Sequence, residues 1–364
     1  MEIKQLTIEE LNQLMHSEEI SGWTSLPISP FRLMSQMKNP HLLREDIVMV
    51  IALENNDLVG YMGALPDDML VDTTSHHVAW ASCIWTRPAH RRKGLGQTLT
   101  STMNAAWNDK LFLTEFTTPA KAIYDGLGSF ESICTKKGYR YFYRSILHLI
   151  AKNRLSNNKI ILGLLRLIDG AINIFLALRI TLKSYFGKKA KYRWREYNLS
   201  NIPQELFPPS AFVHVFEENN WIFFNPWLSA DKAVACEHYF FPTLVDKFQF
   251  RAITFINRDN FSIALLIYSR INNECKILSF SIINAPGIDH KRLKKSIEKF
   301  FLAEKVNSVL SYDLRYDQLM RHGGSFFFYR KKRRREYLAG RSFIEQLPQS
   351  QISVCEMDGD VVFT

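Results

Sequence analysis

The feature that most constrains the fold is a strand, a basic glycine turn and a helix in direct succession. Residues 78–86 form an apolar run rich in β-favouring side chains, too short for a typical helix, which predicts a buried strand. Pro88 ends this run, and the turn at 91–96 has the sequence Arg-Arg-Lys-Gly-Leu-Gly. From Leu99 onward the apolar residues recur at helical spacing. The turn therefore joins a strand to the beginning of a helix.

This arrangement is suited to binding phosphate. Glycine lets the backbone come close to a ligand, so that successive N–H groups can point at one anion. The positive end of the helix dipole faces the same point. The three adjacent cations at 91–93 add full charges. The sequence therefore predicts a phosphate-bearing ligand at the turn.

The turn resembles the Arg/Gln-x-x-Gly-x-Gly/Ala pyrophosphate loop of the GNAT acyltransferases, which use acetyl-CoA. Residues 84–88 resemble the end of the strand that precedes this loop in the family. The resemblance covers about residues 1–148 and implies an α/β GNAT fold, a mixed central sheet flanked by helices. It also implies which residues bind the CoA thioester. They are Ile84, Trp85, Thr86, Arg91, Arg92, Lys93, Gly94, Leu95, Gly96 and Gln97.

Residues 117–128 resemble the family segment whose tyrosine often protonates the leaving thiolate. The resemblance places Tyr124 at that position and implies that it is the general acid. A competing alignment uses residues 134–139 instead and places Cys134 there. We prefer Tyr124.

The general base is less well determined. Glu115 is the preferred residue, because it is predicted inside a strand at 111–117, where burial would raise the pKa of its carboxylate. His76 and His77, just before the central strand, are alternatives, and a base acting through water is a third.

The order of elements before and after the turn also fits the GNAT fold. The pattern predicts a strand at 2–6, a helix that starts with a capping box at Thr7, and a second helix at 31–37. A hairpin of strands follows at 47–54 and 58–65, and another helix begins at Pro119.

Composition limits the ligands and the compartment. A net charge of +10 favours anionic partners. The five cysteines are scattered without metal-ligand spacing, so we expect no metal and a reducing compartment. The first residues lack a signal-peptide pattern, and a cytoplasmic location is expected.

The apolar stretch 159–182 predicts a helix with an uncertain partner. Arg166, Asp169 and Arg179 interrupt it, which argues against a membrane span. One alternative is peripheral membrane contact, in which the helix lies in the interface and the flanking cations attract anionic lipid. The cytoplasmic protein would then be peripheral at the inner membrane face. The other alternative is a helix that buries its apolar face on protein.

The second half repeats the first in outline. A hairpin is predicted at 250–271, a strand at 276–283, a helix at 289–304 and a strand at 306–312. The motif Gly-x-x-x-Phe-Tyr-Arg occurs at both 138–144 and 324–330. The loop at 284–289 has one glycine, no cation and an aspartate, so this half is expected not to bind CoA.

We therefore predict two GNAT-like domains. The catalytic domain spans 1–148, an amphipathic helical linker spans 149–194, and a degenerate domain spans 195–364. The basic run at 330–335 fits a nucleic-acid contact, a lipid contact or a solvated edge, and the tail 357–364 has no assigned role.

The predicted function is acyl-CoA-dependent N-acyl transfer, with acetyl-CoA or another acyl-CoA as co-substrate and a primary amine as acceptor. Small amines, amino sugars of surface-glycan synthesis and protein amines all remain open as acceptors, with a slight preference for an amino sugar of a surface-glycan precursor, and nucleic acid is not an expected partner. The alternative is a non-catalytic membrane- or nucleic-acid-associated binding protein on the same scaffold.

Overall fold

A computed structural model describes residues 1–71, 74–152, 158–186, 192–207, 220–234, 236–283, 287–347, 352 and 354–363. The chain divides into two compact units, each assembled from separate segments. Unit 1 consists of Met1–Lys136, Val213–Phe248 and Arg334–Thr364. Unit 2 consists of Lys137–Phe212 and Gln249–Arg333.

Both units contain strands and helices, numbered here along the chain. The strands are β1 (Glu2–Leu6), β2 (Met49–Glu54), β3 (Asp57–Val71), β4 (Thr74–Thr86), β5 (Leu111–Leu113), β6 (Phe130–Phe142), β7 (Arg193–Tyr197), β8 (Phe248–Ile256), β9 (Ser262–Ile271), β10 (Glu274–Ile282), β11 (Ser308–Ser311) and β12 (Tyr329–Gly340). The helices are α1 (Ile8–Met15), α2 (Pro30–Gln36), α3 (Leu95–Ala106), α4 (Thr118–Leu127), α5 (Leu147–Lys152), α6 (Lys159–Phe186), α7 (Asn220–Phe224), α8 (His290–Ala303), α9 (Leu314–Leu319) and α10 (Arg341–Gln346).

Local sequence signals explain how several of these elements begin. The backbone N–H of Thr7 donates to Glu10 Oε2 at 2.8 Å, and the N–H of Glu10 donates back to Thr7 Oγ1 at 3.4 Å. This capping box confirms the predicted start of α1. Asn55 and Asn56 have φ values of 50° and 59°, as a two-residue hairpin turn requires. The predicted hairpin of β2 and β3 is confirmed.

Unit 1 is a mixed sheet with helices on both faces. Strands β1 to β4 pair antiparallel in sequence order, and β4 pairs parallel with β5. On one face, Leu99 of α3 and Tyr124 of α4 pack against the sheet. On the other face, Leu11 of α1 and Leu33 of α2 do so. This architecture confirms the predicted fold class.

Unit 2 repeats the element order of unit 1. The series β8-β9-β10-α8-β11-α9 corresponds to β2-β3-β4-α3-β5-α4. The parallel pair β10–β11 corresponds to the parallel pair β4–β5. Helix α8 buries Leu293, Phe300 and Phe301 in the core of this unit. The second half therefore repeats the α/β element order of the first.

The last strand of each repeat completes the sheet of the other repeat. In unit 1, β5 pairs antiparallel with β12, as Leu113 with Leu338. In unit 2, β11 pairs antiparallel with the end of β6, as Leu310 with Arg140. The predicted boundaries at 148 and 195 assumed contiguous domains, and the compact units differ from them. A strand's sequence pattern indicates which face is buried but not which sheet the strand joins.

The short motif that first indicated the repeat occupies two different places. Gly138 lies inside β6, whereas Gly324 lies before β12 begins. The segments 128–130 and 324–326 share a location, each between a helix and an exchanged strand, and both have the sequence Gly-Ser-Phe. The element order, rather than the motif at 138–144, carries the repeat.

The predicted helix at 159–182 is present as the first part of α6. The stretch Lys159–Leu182 is long and apolar enough to cross a membrane by length and composition, with a mean hydropathy of 2.0 in its most apolar window. Only 11% of that window is buried. Within the described part of the chain, the apolar face of α6 is therefore mostly uncovered.

The strand exchange leads to a test in the full-length protein. Leu338 of β12 is buried in the core that contains α3, so Leu338→Ala should cost about 2–5 kcal/mol there. We expect hydrogen exchange to accelerate in α3 more than in α8. The matched control is Leu319→Ala, in the core of unit 2, which should accelerate hydrogen exchange in α8 more than in α3. If Leu338→Ala accelerated hydrogen exchange in α8 alone, the assignment of β12 to the sheet of unit 1 would be wrong.

Candidate functional site

The strands β4 and β5 run side by side over a short distance only. Their parallel pairing consists of Ala79 with Leu111 and Trp80 with Phe112. Strand β5 ends at Leu113, while β4 continues to Thr86. Beyond Trp80, the described part of β5 offers β4 no further partner on that side. The edge of β4 is therefore open to an extended ligand.

The other edge of β4 carries a bulge at the same level. Met62 of β3 pairs with Ile84, whereas Ala64 pairs with Ala81, so β4 has one extra residue there. The intervening residues of β4 are Ser82 and Cys83. Bulges of this kind redirect side chains and are common beside active sites.

The turn after β4 presents an uncapped helix N-terminus. The N-cap of α3 is Gly94, whose φ of 82° lies in the left-handed region that favours glycine. It provides no side-chain cap, so the first N–H groups of α3 have none of the usual intrahelical or capping partners. At Gly96 a Cβ atom would lie 2.6 Å from Ile123 Cδ1 of α4, so glycine permits this close packing.

The turn and the strand end fit an acyl-CoA. Arg91, Arg92 and Lys93 are exposed beside the helix N-terminus, as the resemblance implied. Leu95 is buried, so it has only its backbone to offer an anion. Gln97, in the first turn of α3, is exposed. An anion at this turn would meet cationic side chains and backbone N–H groups together.

The strand residues expected at the thioester differ in burial. Ile84 and Thr86 are half-buried, and Ile84 packs in the same core as α3 and α4. Trp85 is buried on the opposite face, stacked on Tyr61 at 5.5 Å between ring centroids. The side chain of Trp85 therefore supports the strand, and only its backbone can face a ligand on the open edge.

Tyr124 lies in helix α4, as the preferred alignment predicted. Its ring is buried between Phe116 and Phe130, at centroid distances of 5.7 and 5.9 Å. Burial, and then the nearby charge of Asp360, raise the pKa of the Tyr124 hydroxyl, which therefore keeps its proton at neutral pH. Cys134 lies inside β6, so the competing alignment, which requires a helix there, does not hold.

A polar cluster forms where the bulge of β4 meets the C-terminal tail. Ser82 Oγ donates to Asp360 Oδ2 at 3.0 Å. Arg32 Nη2 lies 3.2 Å from the same oxygen and also donates to Ser82 Oγ. The Arg32 guanidinium lies over the ring of Trp227 at 4.8 Å, and its Nη1 donates to the Tyr239 hydroxyl at 3.4 Å. The cluster thus holds a carboxylate with a hydroxyl and a fixed cation.

The tail is fixed in place by its own apolar residues. Met357, Val361 and Val362 are fully buried. Gly359, with a φ of 64°, packs so close to Trp80 that a Cβ atom would lie 2.9 Å from the indole. The sequence analysis gave the tail no role and missed Asp360. The available signal was an aspartate set between a glycine and an apolar run in an otherwise polar terminus.

Arg32 was also missed. It lies in α2, whose sequence is Pro-Phe-Arg-Leu-Met-Ser-Gln, and its side chain is buried. An arginine on the buried face of a helix requires a carboxylate or another acceptor nearby. That requirement was the signal that the sequence contained.

Glu115 lies in a different environment from the predicted one. Strand β5 ends at Leu113, and Glu115 has a left-handed φ of 50°, so the prediction that it lies inside a strand is wrong. Its carboxylate pairs with Arg335 Nη2 at 2.5 Å. It borders a cavity of about 330 Å³. The other lining residues are Phe116, Thr135, Arg334, Arg335 and Glu336.

The basic run at 330–335 does not form one surface. It belongs to strand β12, in which Arg330, Lys331 and Lys332 are exposed. The Arg335 side chain is only 1% exposed and pairs with Glu356 as well as Glu115. The last cation of the run is therefore structural.

The two histidines proposed as alternative bases are both engaged in packing or pairing. His77 contacts Asp68 Oδ1 through Nδ1 at 3.0 Å and Asp46 Oδ1 through Nε2 at 2.9 Å. Burial alone would lower the pKa of His77, but these hydrogen bonds outweigh burial and raise it. His76 packs edge-on against Phe343 at 5.5 Å. Neither nitrogen of His77 is available to take a substrate proton.

Two further expectations concern absences. Among the described residues, no group of three or more His, Cys, Asp or Glu side chains could hold a metal ion.

Of the loop at 284–289 in unit 2, residues 284–286 lie outside the described residues. Asp289 accepts a hydrogen bond from the N–H of Arg292 at 3.1 Å and caps α8. A carboxylate there would repel a phosphate, which supports the prediction that unit 2 does not bind CoA.

Comparison with known proteins gives a match to one family. Residues 8–125 match the model of the Acetyltransferase (GNAT) family. No curated protein matches the sequence. The matched residues include β4, the turn that follows it and α3. Over about a third of its length, the chain is therefore similar to a GNAT acetyltransferase domain.

Solved structures with low sequence identity also match. They include a probable N-acyltransferase from Enterococcus faecalis V583 (12% identity, 93% of this chain, 72% of that chain, TM-score 0.46). A tandem GNAT protein from the clavulanic acid biosynthesis pathway has 10% identity over 93% of this chain and 97% of that chain, with a TM-score of 0.47. Saccharomyces cerevisiae N-myristoyltransferase with bound myristoyl-CoA has 11% identity over 93% and 82%, with a TM-score of 0.45. These values identify no substrate.

The geometry of the turn gives a binding test. Arg91→Glu removes a charge-assisted contact to phosphate and adds repulsion, so CoA binding should weaken by about 1.5–3 kcal/mol or more. Calorimetry with the full-length protein measures this change. Arg44→Glu, an equal charge change at an exposed residue of the same unit, is the control. Unchanged CoA affinity in Arg91→Glu would remove the turn from the site.

Proposed function

We propose that this protein is an acyl-CoA-dependent N-acyltransferase that transfers an acetyl group from acetyl-CoA to a primary amine. The observation that carries the proposal is the open edge of β4 beside the uncapped N-terminus of α3. Both lie in the part of the chain that matches the GNAT family. The extended arm of a CoA thioester can pair with the open edge of β4 while its pyrophosphate binds at the N-terminus of α3.

The turn and the strand orient the donor in this proposal. The N–H groups at Leu95 and Gly96 face the pyrophosphate together with the cations of the turn. The backbone of β4 at Ile84 and Thr86 pairs with the extended arm and aligns the thioester carbonyl. Fixing two reactants in this way supplies several kcal/mol of the barrier.

Tyr124 is the proposed general acid. As the amine nitrogen bonds to the acyl carbon and the C–S bond breaks, the leaving thiolate must gain a proton, because a thiol has a reference pKa of about 8.5. A tyrosine, with a reference pKa of about 10, is protonated at neutral pH and can donate. Its raised pKa favours this protonated form in the resting site.

Asp360, acting through Ser82, is the proposed acceptor of the amine proton. Each of the two carboxylates is paired with an arginine, Asp360 with Arg32 and Glu115 with Arg335. Asp360 is preferred because its charge acts on Tyr124 and because Ser82, at the bulge of β4, donates to it. The Ser82 hydroxyl donates to Asp360 and can pass on a proton that it receives from the amine. The proton lost by the amine is then held by Asp360, and the proton lost by Tyr124 is on the CoA thiol. Return of the Asp360 proton to Tyr124 resets the site.

Three conservative substitutions test these roles. Tyr124→Phe keeps the ring and removes the proton, so turnover should fall about 10²–10⁴-fold with CoA affinity retained. Asp360→Asn should lower turnover about 10²-fold or more, and Glu115→Gln less than about tenfold. Turnover is measured as release of free CoA. Tyr268→Phe, a buried tyrosine of unit 2, is the matched control.

Other outcomes for the turnover of these three variants would contradict the proposed roles. Full turnover in Tyr124→Phe would exclude it as the acid. Loss of turnover in Glu115→Gln with normal turnover in Asp360→Asn would restore Glu115 as the base. CoA binding without thioester turnover for any amine would favour the non-catalytic binding protein.

We further propose that the acceptor is an amino sugar of a surface-glycan precursor. Asp360 would attract the ammonium form of such an acceptor, which releases one proton to solvent before the neutral amine attacks. The overall charge of +10 favours an anionic carrier such as a nucleotide or a lipid phosphate. Turnover is compared for a nucleotide-linked amino sugar, free glucosamine, spermidine and a peptide with a free α-amine. The nucleotide-linked sugar should be the best substrate. Preferential turnover of the peptide or of spermidine would overturn this choice.

A further inference from the structure

Helix α6 exposes a continuous apolar face. Large apolar side chains that are mostly solvent-exposed follow one side of it, and Leu167 and Phe175 are 74% and 69% exposed. The other members are Ile160, Leu164, Ile168, Ile174, Leu178 and Leu182. The short helix α5 adds Leu147, Leu149 and Ile150. Such a contiguous apolar surface on a described part of the chain indicates a partner.

The polar side of α6 is used within the same helical pair. Asp169 accepts hydrogen bonds from the N–H groups of Leu147 and His148, both at 2.9 Å, and so caps α5. Asn173 accepts from the N–H of Ser145 at 2.7 Å. These contacts fix α5 against α6 while the apolar side remains uncovered. The acid inside the apolar stretch is therefore satisfied by protein, not by the partner.

The sequence that contains this pair is strongly basic. Residues 149–195 contain eleven lysines and arginines but one acid, Asp169, so they carry the whole excess of +10. Lys159 and Arg166 recur at seven-residue spacing with Asn173 and so share one side of α6. A basic, amphipathic helix with a wide apolar face is the pattern of a helix that lies in a membrane interface.

Charge also selects between two possible partners of the apolar face. A second copy of the chain, joined through the same face, would bring two segments of +10 together and would be repelled. An anionic bilayer attracts the same charge and accepts the apolar side chains. A membrane span is disfavoured because Arg166, Asp169 and Arg179 would enter the hydrocarbon core.

We propose that α5 and α6 bind the protein peripherally to an anionic membrane. The apolar face enters the acyl boundary, and the described cations of the pair, Lys152, Lys159, Arg166 and Arg179, contact lipid phosphates. The cytoplasmic face of the inner membrane, with its anionic lipids, is the corresponding location. This proposal is independent of the transfer reaction assigned to unit 1.

The test is sedimentation of the full-length protein with vesicles of POPC alone and of POPC mixed with POPG. The protein should bind the anionic vesicles at low salt and be released at high salt. A double variant, Leu167→Asp with Leu178→Asp, should lower partitioning about tenfold or more, because two charges would enter the apolar boundary. Both side chains are exposed, so the melting temperature should be unchanged.

The matched control is Phe261→Asp with Leu314→Asp, two similarly exposed apolar residues outside the helical pair. It should bind vesicles as the native protein does. Absence of binding to anionic vesicles at low salt would overturn the proposal, and so would full binding by the α6 variant. Light scattering gives a third contrary outcome. The proposal would also be overturned if the native protein were a dimer that bound no vesicles and that the α6 substitutions converted to a monomer.

Discussion

The short parallel pairing of β4 with β5 is the constraint on which the rest of unit 1 depends. It consists of Ala79 with Leu111 and Trp80 with Phe112, at the point where the C-terminal tail packs on Trp80. If β4 and β5 paired over a longer distance, the edge of β4 would be closed. If they did not pair at all, the tail would lack the support that Trp80 gives it. The open edge and the position of Asp360 are thus two results of one limited contact.

The exchange of β6 and β12 explains how a residue near the end of the chain joins a site built from the first third. Strand β12 pairs with β5 and is followed by α10 and the buried tail. Asp360 therefore reaches Ser82 because β12 lies in the sheet of unit 1. The second repeat therefore contributes the segment that follows β12 to unit 1. Its own helix α8 has Asp289 as its N-cap, so a carboxylate occupies the helix N-terminus.

The sequence allowed prediction of the elements and of the glycine turn before α3, but not of the cluster of Arg32, Ser82 and Asp360. Local patterns fix β4, the turn at Gly94 and helix α3, since each depends on neighbours in the chain. Tyr124 could be placed because its motif is local as well. Asp360 and Arg32 lie more than 300 residues apart, and no local pattern joins them. Glu115 was misplaced because the apolar run of β5 ends two residues before it.

The exchanged strand also imposes an order on synthesis. The edge of β5 is made early, whereas its partner β12 begins 216 residues after Leu113. At about 5–20 residues per second, the interval lasts about 10–40 s. During it, β5 presents an unpaired edge that can join foreign strands. We therefore expect the nascent chain to need protection of that edge until β12 has been synthesised.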